Sequence, residues 1–517
     1  MSTHKLQLLV TSDIHGYIMP TAYRGMNEPL GLAQLATKIE VLRSNYPTIL
    51  IDNGDLIQGS PLTYFKQAYR PLESNPIIKA TNELKYDAAI FGNHEFNYGR
   101  ENLERIIEQS DYPWLSCNIR NDDGNAWVKP YEIFIVDGVR IGVIGVTTHF
   151  ITIWEDPAHL TGLQIDDALA SVSYWLEVMK EQEKVHVSVI SYHGGFSHSL
   201  ETGELEESDS GENQGYQMLQ QLDFDILITG HQHREISSKA YGKSIVQPGS
   251  RAVKVGQIMI DITLENDEVI FIHHEPTLIS LDEHDQLHPK VVASVSTLHE
   301  ETEQWLDEPI ATVHGNMLYE NAMDVRIHKH PYVQFLQELQ MDVTGTTISC
   351  TSLFHDQPGG FKPIVTMRDI VTNYIYPNTL KVLAVTGEQL MLALEQCASY
   401  FTLENDQIAV NPSFLYPKAQ PYNYDMWEGI YYTMDISKPI GSRIVQATIN
   451  ELPIKPMKTF HVVMNNYRAT GAGNFPYFAS CPVISDLQID MTEVIATYLR
   501  EHPVIHAHVE QNWDIIK

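Results

Sequence analysis

DAAIFGNHEFNYG, residues 87–99, joins a short apolar run to a turn crowded with polar side chains. Asn93, His94 and Glu95 are consecutive, and Asn97 follows two positions later. The apolar run reads as a buried strand, and polar groups at a buried strand's end cost several kcal/mol each unless something compensates them. The same design recurs outward from this point. LQLLVTS leads into Asp13-Ile14-His15, TILIDNG into Asp55, VHVSVISY into His193, and FDILITG into His231-Gln232-His233.

These runs, with VRIGVIGVTT and QIMIDITL, are mostly continuous in apolar character rather than alternating, the pattern of strands covered on both faces. Between them, Ile165, Leu169, Val172, Leu176 and Met179 fall on one face of a helix predicted over 165–183. The expected fold class is α/β, with a layered, buried sheet domain over residues 1–285. In such folds ligands gather at the C-terminal ends of the strands. The acidic stretch 201–213 reads as a solvated loop without function. PKVVASVSTLHEETEQW, with Val291, Val295, Leu298 and Trp305 on one face, predicts a linker helix within 286–309. Residues 310–517 form a second α/β unit, in which LKVLAVTG leads into the helix GEQLMLALEQCASYF.

The 517 residues exceed what one core supports, so two domains are expected. The 34 Lys and Arg against 66 Asp and Glu give a net charge of −32, which repels nucleic-acid polymers. A small anionic ligand binds such a chain only where local cations offset the field. No stretch reaches the ~20 apolar residues of a membrane span. Nor does MSTHKLQLLVTSD read as a secretory signal, so a cytoplasmic protein is the simplest expectation. The four cysteines, Cys117, Cys350, Cys397 and Cys481, lack the spacing of a disulfide framework or a thiolate metal site.

Imidazole, carboxylate and amide oxygen together suit Mn²⁺, Zn²⁺, Fe²⁺ or Co²⁺. One carboxylate shared by two such ions holds them about 3.5–4 Å apart, the spacing of two-metal hydrolytic sites. The ordered set D-x-H, G-D-x-x-Q, G-N-H-E, a strand-end His and G-H-x-H resembles the calcineurin-like metallophosphoesterases. Carried over by motif, the resemblance implies one ion on Asp13, His15, Asp55 and His233, and a second on Asp55, Asn93, His193 and His231. It makes Asp55 the bridge and His94 the catalytic residue facing a phosphoryl group.

The order of domains resembles the 5′-nucleotidase group, and within it the 2′,3′-cyclic-nucleotide 2′-phosphodiesterase/3′-nucleotidase branch. YPNTLKVLAVTGEQL (376–390), YNYDMWEGIYYTMDI (422–436) and NNYRATGAGNFP (465–476) carry that likeness. It implies a base clamped between Tyr376, which precedes Asn378, and Tyr467, with Lys362 where 5′-nucleotidases show Arg. Lysine lacks the bidentate fork of arginine. Base–aromatic stacking contributes about 1–3 kcal/mol and tolerates any base.

Asn97 stands where 5′-nucleotidases commonly have Asp, and Asn there fits the cyclic-phosphodiesterase branch. An amide oxygen still accepts from an imidazole N–H but brings no negative charge. The expected activity is two-metal hydrolysis of 2′,3′-cyclic nucleotides and 3′-nucleotides. A 5′-nucleotidase whose range extends to nucleotide sugars, a protein phosphatase and a non-catalytic, metal-stabilised nucleotide sensor are the alternatives.

Overall fold

The computed structural model describes every residue except 24–27, 207–210, 283, 377, 417 and 488. The chain divides into two compact units, Met1–Thr302 and Glu303–Lys517.

The first unit is built on two six-stranded sheets. One runs Glu268–Ser280, Lys254–Glu265, Ser2–Thr11, Thr48–Asp52, Ala88–Ile90 and Trp114–Leu115, and its last four strands are parallel. The other runs Glu235–Ala240, Lys243–Pro248, Ile226–Ile228, Val187–His193, Val139–Thr147 and Tyr131–Val136, with four parallel strands at its centre. Side chains alternate across a strand, so Leu6, Leu8 and Val10 of the first sheet share one core with Val139, Ile141, Val187 and Val189 of the second. The opposite face of the second sheet, with Val146, Ile190 and Tyr192, packs on Val172, Leu176 and Met179. Val187–His193 is therefore buried on both faces, as its unbroken apolar run requires.

The predicted helix over 165–183 starts later, at Ala168, and ends at Glu183. Asp167 caps it by accepting from the backbone N–H of Ala170 at 2.8 Å. Ile165 instead ends the strand Leu163–Ile165, paired with Ile119–Asn121, because strand pairing takes that residue before the cap begins. The helix Pro289–Leu306 contains the division between the units, which falls after Thr302. Among the described residues no helix is long and apolar enough to cross a membrane. All four cysteines are free and buried.

In the second unit, a five-stranded sheet orders Met426–Glu428, Ser349–Thr351, Thr459–Asn465, Leu380–Thr386 and Val483–Leu487. The strand Leu380–Thr386 passes directly into the helix Gly387–Ala398. Thr386 and Gln389 form a capping box there, each side chain bonding the other's backbone N–H.

Candidate metal centre

Parallel strands end on the same side of a sheet, and the first unit uses this to collect its polar residues. Asp13 and His15 follow Ser2–Thr11, and Asp55 follows Thr48–Asp52. Asn93 and His94 follow Ala88–Ile90, His193 closes Val187–His193, and His231 and His233 follow Ile226–Ile228. Five of these residues, Asp13, His15, Asp55, His231 and His233, have φ between 52° and 68°. That left-handed conformation costs a non-glycine residue about 1–2 kcal/mol. Its repetition here turns each side chain out of the pleat toward one point. Two glycines let the turns close: a Cβ on Gly92 would lie 2.2 Å from Asp55 Oδ1, and one on Gly230 would lie 2.4 Å from Ser12 Oγ.

The side chains fall into two groups of mutually close donor atoms, Asp13, His15 and His233 in one, and Asp55, His193 and His231 in the other. In the first, His15 Nε2 is 3.0 Å from His233 Nε2, which is 3.4 Å from Asp13 Oδ1. In the second, His231 Nδ1 is 2.9 Å from Asn93 Oδ1. Asp55 Oδ2 links the two, 3.8 Å from His15 Nε2 and 3.2 Å from His193 Nε2. The other oxygen, Asp55 Oδ1, accepts the His94 backbone N–H at 2.8 Å.

Tautomers decide what these contacts are. His15 Nδ1 donates to the Gln58 carbonyl at 2.9 Å, and His193 Nδ1 to the Asn53 carbonyl at 2.7 Å, since a carbonyl only accepts. In the neutral rings both Nε2 atoms are then bare lone pairs. The buried His193 Nε2 makes no hydrogen bond, and it faces a carboxylate oxygen. Lone pairs so opposed call for a cation between them. Burial holds His15 neutral, at about 3, against the pull of Asp55. At His193 burial works the same way, but Asp55 and Asp13 outweigh it and raise the ring to about 10, so without an ion a proton on Nε2 satisfies Asp55 in the place a metal ion would take. Asp55 itself lies well below the usual carboxylate range, because the surrounding imidazoles overcome the effect of burial. The residues therefore fit divalent metal ions, which would satisfy these lone pairs together.

Glu95 explains the last letter of G-N-H-E. Its buried carboxylate accepts the backbone N–H groups of Asp55, Leu56, Ile57 and Gly92 at 2.6–3.2 Å, tying two strand-end turns together. His94 lies beside this point, its ring centroid 5.3 Å from that of His15. Its Nδ1 is 2.7 Å from Asn97 Oδ1.

In the second unit, Tyr376, Tyr422 and Tyr467 are half-buried. The Tyr422 ring lies 6.0 Å from Tyr376 and 6.2 Å from Tyr467, steeply inclined to both. The Thr379 N–H donates to the Asn466 side-chain oxygen at 3.1 Å and the Asn466 N–H to the Thr379 carbonyl at 2.9 Å, which couples the Tyr376 and Tyr467 turns. Arg468, fully buried, donates to Asp425 Oδ2 at 2.6 Å and to the Tyr422 carbonyl at 2.9 Å.

A profile of the calcineurin-like phosphoesterases matches residues 6–235, and one of the 5′-nucleotidase C-terminal domain matches 309–480. A crystal structure described as a putative 5′-nucleotidase from Staphylococcus aureus superimposes with a TM-score of 0.90 at 33% identity, over 99% of this chain and all of that one. The chain belongs to the calcineurin-like phosphoesterases that carry a 5′-nucleotidase C-terminal domain. Members of this family use divalent metals, and membership makes the chain a phosphoric ester hydrolase. A 2′,3′-cyclic-nucleotide 2′-phosphodiesterase/3′-nucleotidase of Yersinia enterocolitica is 28% identical over 99% of this phosphoesterase and 88% of its own length. The trifunctional nucleotide phosphoesterase YfkN of Bacillus subtilis is 26% identical over 99% of the chain, which spans 39% of that relative's length.

Several residues around these side chains escape a reading of strand-end motifs alone. Glu212 belongs to the acidic stretch expected to be a solvated loop, of which 207–210 lie outside the described residues. Its Oε1 is 2.9 Å from His231 Nε2, while its carbonyl accepts from the hydroxyls of Tyr192 and Thr148. Trp154 stacks on His231 at 5.3 Å, and its neighbour Glu155 bonds Asn97. Neither stands in a recognisable spacing, and only the fold brings them here. Of the substrate-binding residues expected in the second unit, Asn378 is buried beside Tyr376, whose carbonyl accepts its N–H at 2.8 Å. Lys362 is mostly exposed and pairs with Asp369 at 3.1 Å.

Proposed function

We propose that the chain hydrolyses nucleotide phosphoesters, converting 2′,3′-cyclic nucleotides to 3′-nucleotides and these to nucleoside and phosphate. One observation carries the reading. A chain whose strand ends oppose imidazole and carboxylate lone pairs around Asp55 Oδ2 also holds three half-buried tyrosines on turns that are bonded to each other. The names of the Yersinia and Bacillus relatives support the same substrate class.

Asp13, His15, Asp55 and His233 would hold one ion, and Asp55, Asn93, His193 and His231 the other, with Mn, Zn, Fe or Co the candidates. When bound, such a pair supplies Lewis-acid charge and makes hydroxide accessible near neutral pH. The chain's own residues do the rest. Asp55 Oδ1 fixes the His94 backbone, and Asn97 takes the His94 Nδ1–H, so that the imidazolium form presents its Nε2–H to a phosphoryl oxygen and stabilises its charge. Water adds first across the P–O2′ bond and then across P–O3′. Tyr376 and Tyr467 stack the base, and Asn378 holds the Tyr376 turn. A small nucleotide, not a nucleic-acid polymer, is the partner in this reading.

The second reading, a 5′-nucleotidase with the same metal centre, draws on the description of the Staphylococcus structure. Comparison of kcat/KM for 2′,3′-cyclic AMP, 3′-AMP and 5′-AMP tests the choice. The first two should exceed the third by at least about tenfold, or about 1.4 kcal/mol in the transition state. If 5′-AMP is the best substrate, the phosphate position proposed here is wrong and the second reading stands.

A further inference from the structure

His94 and Asn97 are the first and fourth residues of the 3₁₀ helix His94–Tyr98. With three residues per turn, side chains at i and i+3 eclipse, which sets the Asn97 amide directly against the His94 ring at 2.7 Å. An amide can turn either end toward a ring, and the two choices have opposite consequences. If the oxygen faces His94, Nδ1 carries the proton. If the NH₂ faces it, Nδ1 must be bare and the proton sits on Nε2. Asn97 cannot settle this choice by itself.

The structure supplies what settles it. Asn97 Nδ2 is 2.6 Å from Glu155 Oε2, and an ionised carboxylate only accepts. The NH₂ end must therefore face Glu155, and the oxygen must face His94. Glu155 is itself held, because its Oε1 accepts the Asp156 backbone N–H at 2.9 Å and lies 2.8 Å from His159 Nδ1. Its side chain is only 9% exposed. It also caps the short helix Ile151–Trp154, whose Trp154 stacks on His231. The carboxylate that Asn97 lacks is thus present one hydrogen bond further from the ring.

We propose that Glu155 is a positioning residue for His94, acting through the Asn97 amide to hold Nδ1 as a donor and so aim the Nε2 side of the catalytic ring. The inference rests on the hydrolase reading above. It implies that the amide at 97 and the carboxylate at 155 form a matched donor–acceptor pair. A carboxylate at both positions would place two acceptors at hydrogen-bond distance, whereas exchanging the two side-chain types restores a donor and an acceptor.

The test uses the full-length protein loaded with Mn²⁺, with p-nitrophenyl phosphate as substrate, and four forms: wild type, Glu155→Ala, Asn97→Asp, and Asn97→Asp with Glu155→Gln. Bound metal and thermal stability are measured on each. Glu155→Ala should lower kcat about tenfold while KM changes about twofold or less, a loss confined to the transition state. Asn97→Asp should fall further. Adding Glu155→Gln to it should recover at least about tenfold in kcat, the coupling of directly bonded side chains. A purely structural Glu155 would give additive losses that follow stability or metal content. An active wild type with unchanged kcat in Glu155→Ala, or with Asn97→Asp equally impaired beside Glu or Gln at 155, overturns the positioning role alone. A metal-loaded wild type that turns over no phosphoester overturns the hydrolase reading and the inference with it.

Discussion

The carboxylate of Glu95 accepts the backbone N–H of Asp55 at 2.8 Å, so the residue proposed to bridge two metal ions is set in place by one that touches neither. Glu95→Ala orphans that N–H along with those of Leu56, Ile57 and Gly92. Each buried N–H left unsatisfied costs about 1–3 kcal/mol. The variant should unfold at lower temperature and bind Mn²⁺ about 10–100-fold more weakly, the usual effect of losing a residue that orients ligands. Calorimetry and metal titration check both, and a wild-type melting curve with wild-type affinity would contradict the role.

Asp55→Asn should be the most damaging of the single ligand changes. Asp55 Oδ2 is the atom within 4 Å of both His15 Nε2 and His193 Nε2, so its charge serves both groups. The expected result is metal content well below that of the His233→Ala protein and loss of nearly all turnover. An Asp55→Asn protein that is fully active after exhaustive chelation would exclude the metal assignment.

His94→Ala should behave in the opposite way. The ring is assigned to the phosphoryl group and not to the ions, so metal content should stay near wild type. Loss of a transition-state donor lowers kcat by about 10²–10³ with little change in KM. Elemental analysis beside steady-state kinetics separates the two effects, and a variant that loses its metals or keeps its rate counts against the assignment.

The gathering of these side chains was legible in the sequence, and the reason is local. Asp13, His15, Asp55, Asn93 and His193 sit immediately after apolar runs, and a parallel sheet turns that adjacency in sequence into proximity in space. Glu212 and Glu155 were not legible. Each reaches the centre from a loop whose path depends on tertiary contacts, such as the Tyr192 hydroxyl bonded to the Glu212 carbonyl. The start of the helix Ala168–Glu183 was misplaced for a related reason, since apolar spacing ignored the strand pairing that takes Ile165. In the second unit, the tyrosine-bearing turns were recognisable as motifs, but the Arg468–Asp425 pair that stiffens them was not, because its partners lie far apart in the chain.

Tyr376→Ala and Tyr467→Ala should discriminate by substrate. For nucleotides each should weaken binding by about 1–3 kcal/mol, the contribution of one stacked base. For glycerol phosphate, which has no base, kcat/KM should change about twofold or less by the same argument. Equal losses on both substrates would make the tyrosines packing residues.

Ring opening and phosphate release are both read by following 2′,3′-cyclic AMP by ³¹P NMR, with protein first stripped by chelation and then supplied with Mn²⁺. Stripped protein should give no reaction. After Mn²⁺ is added, 3′-AMP should appear transiently and inorganic phosphate should accumulate, without 2′-AMP. A cyclic substrate left intact, or opened to 2′-AMP, by a metal-loaded protein that readily dephosphorylates 5′-AMP would contradict the proposed function.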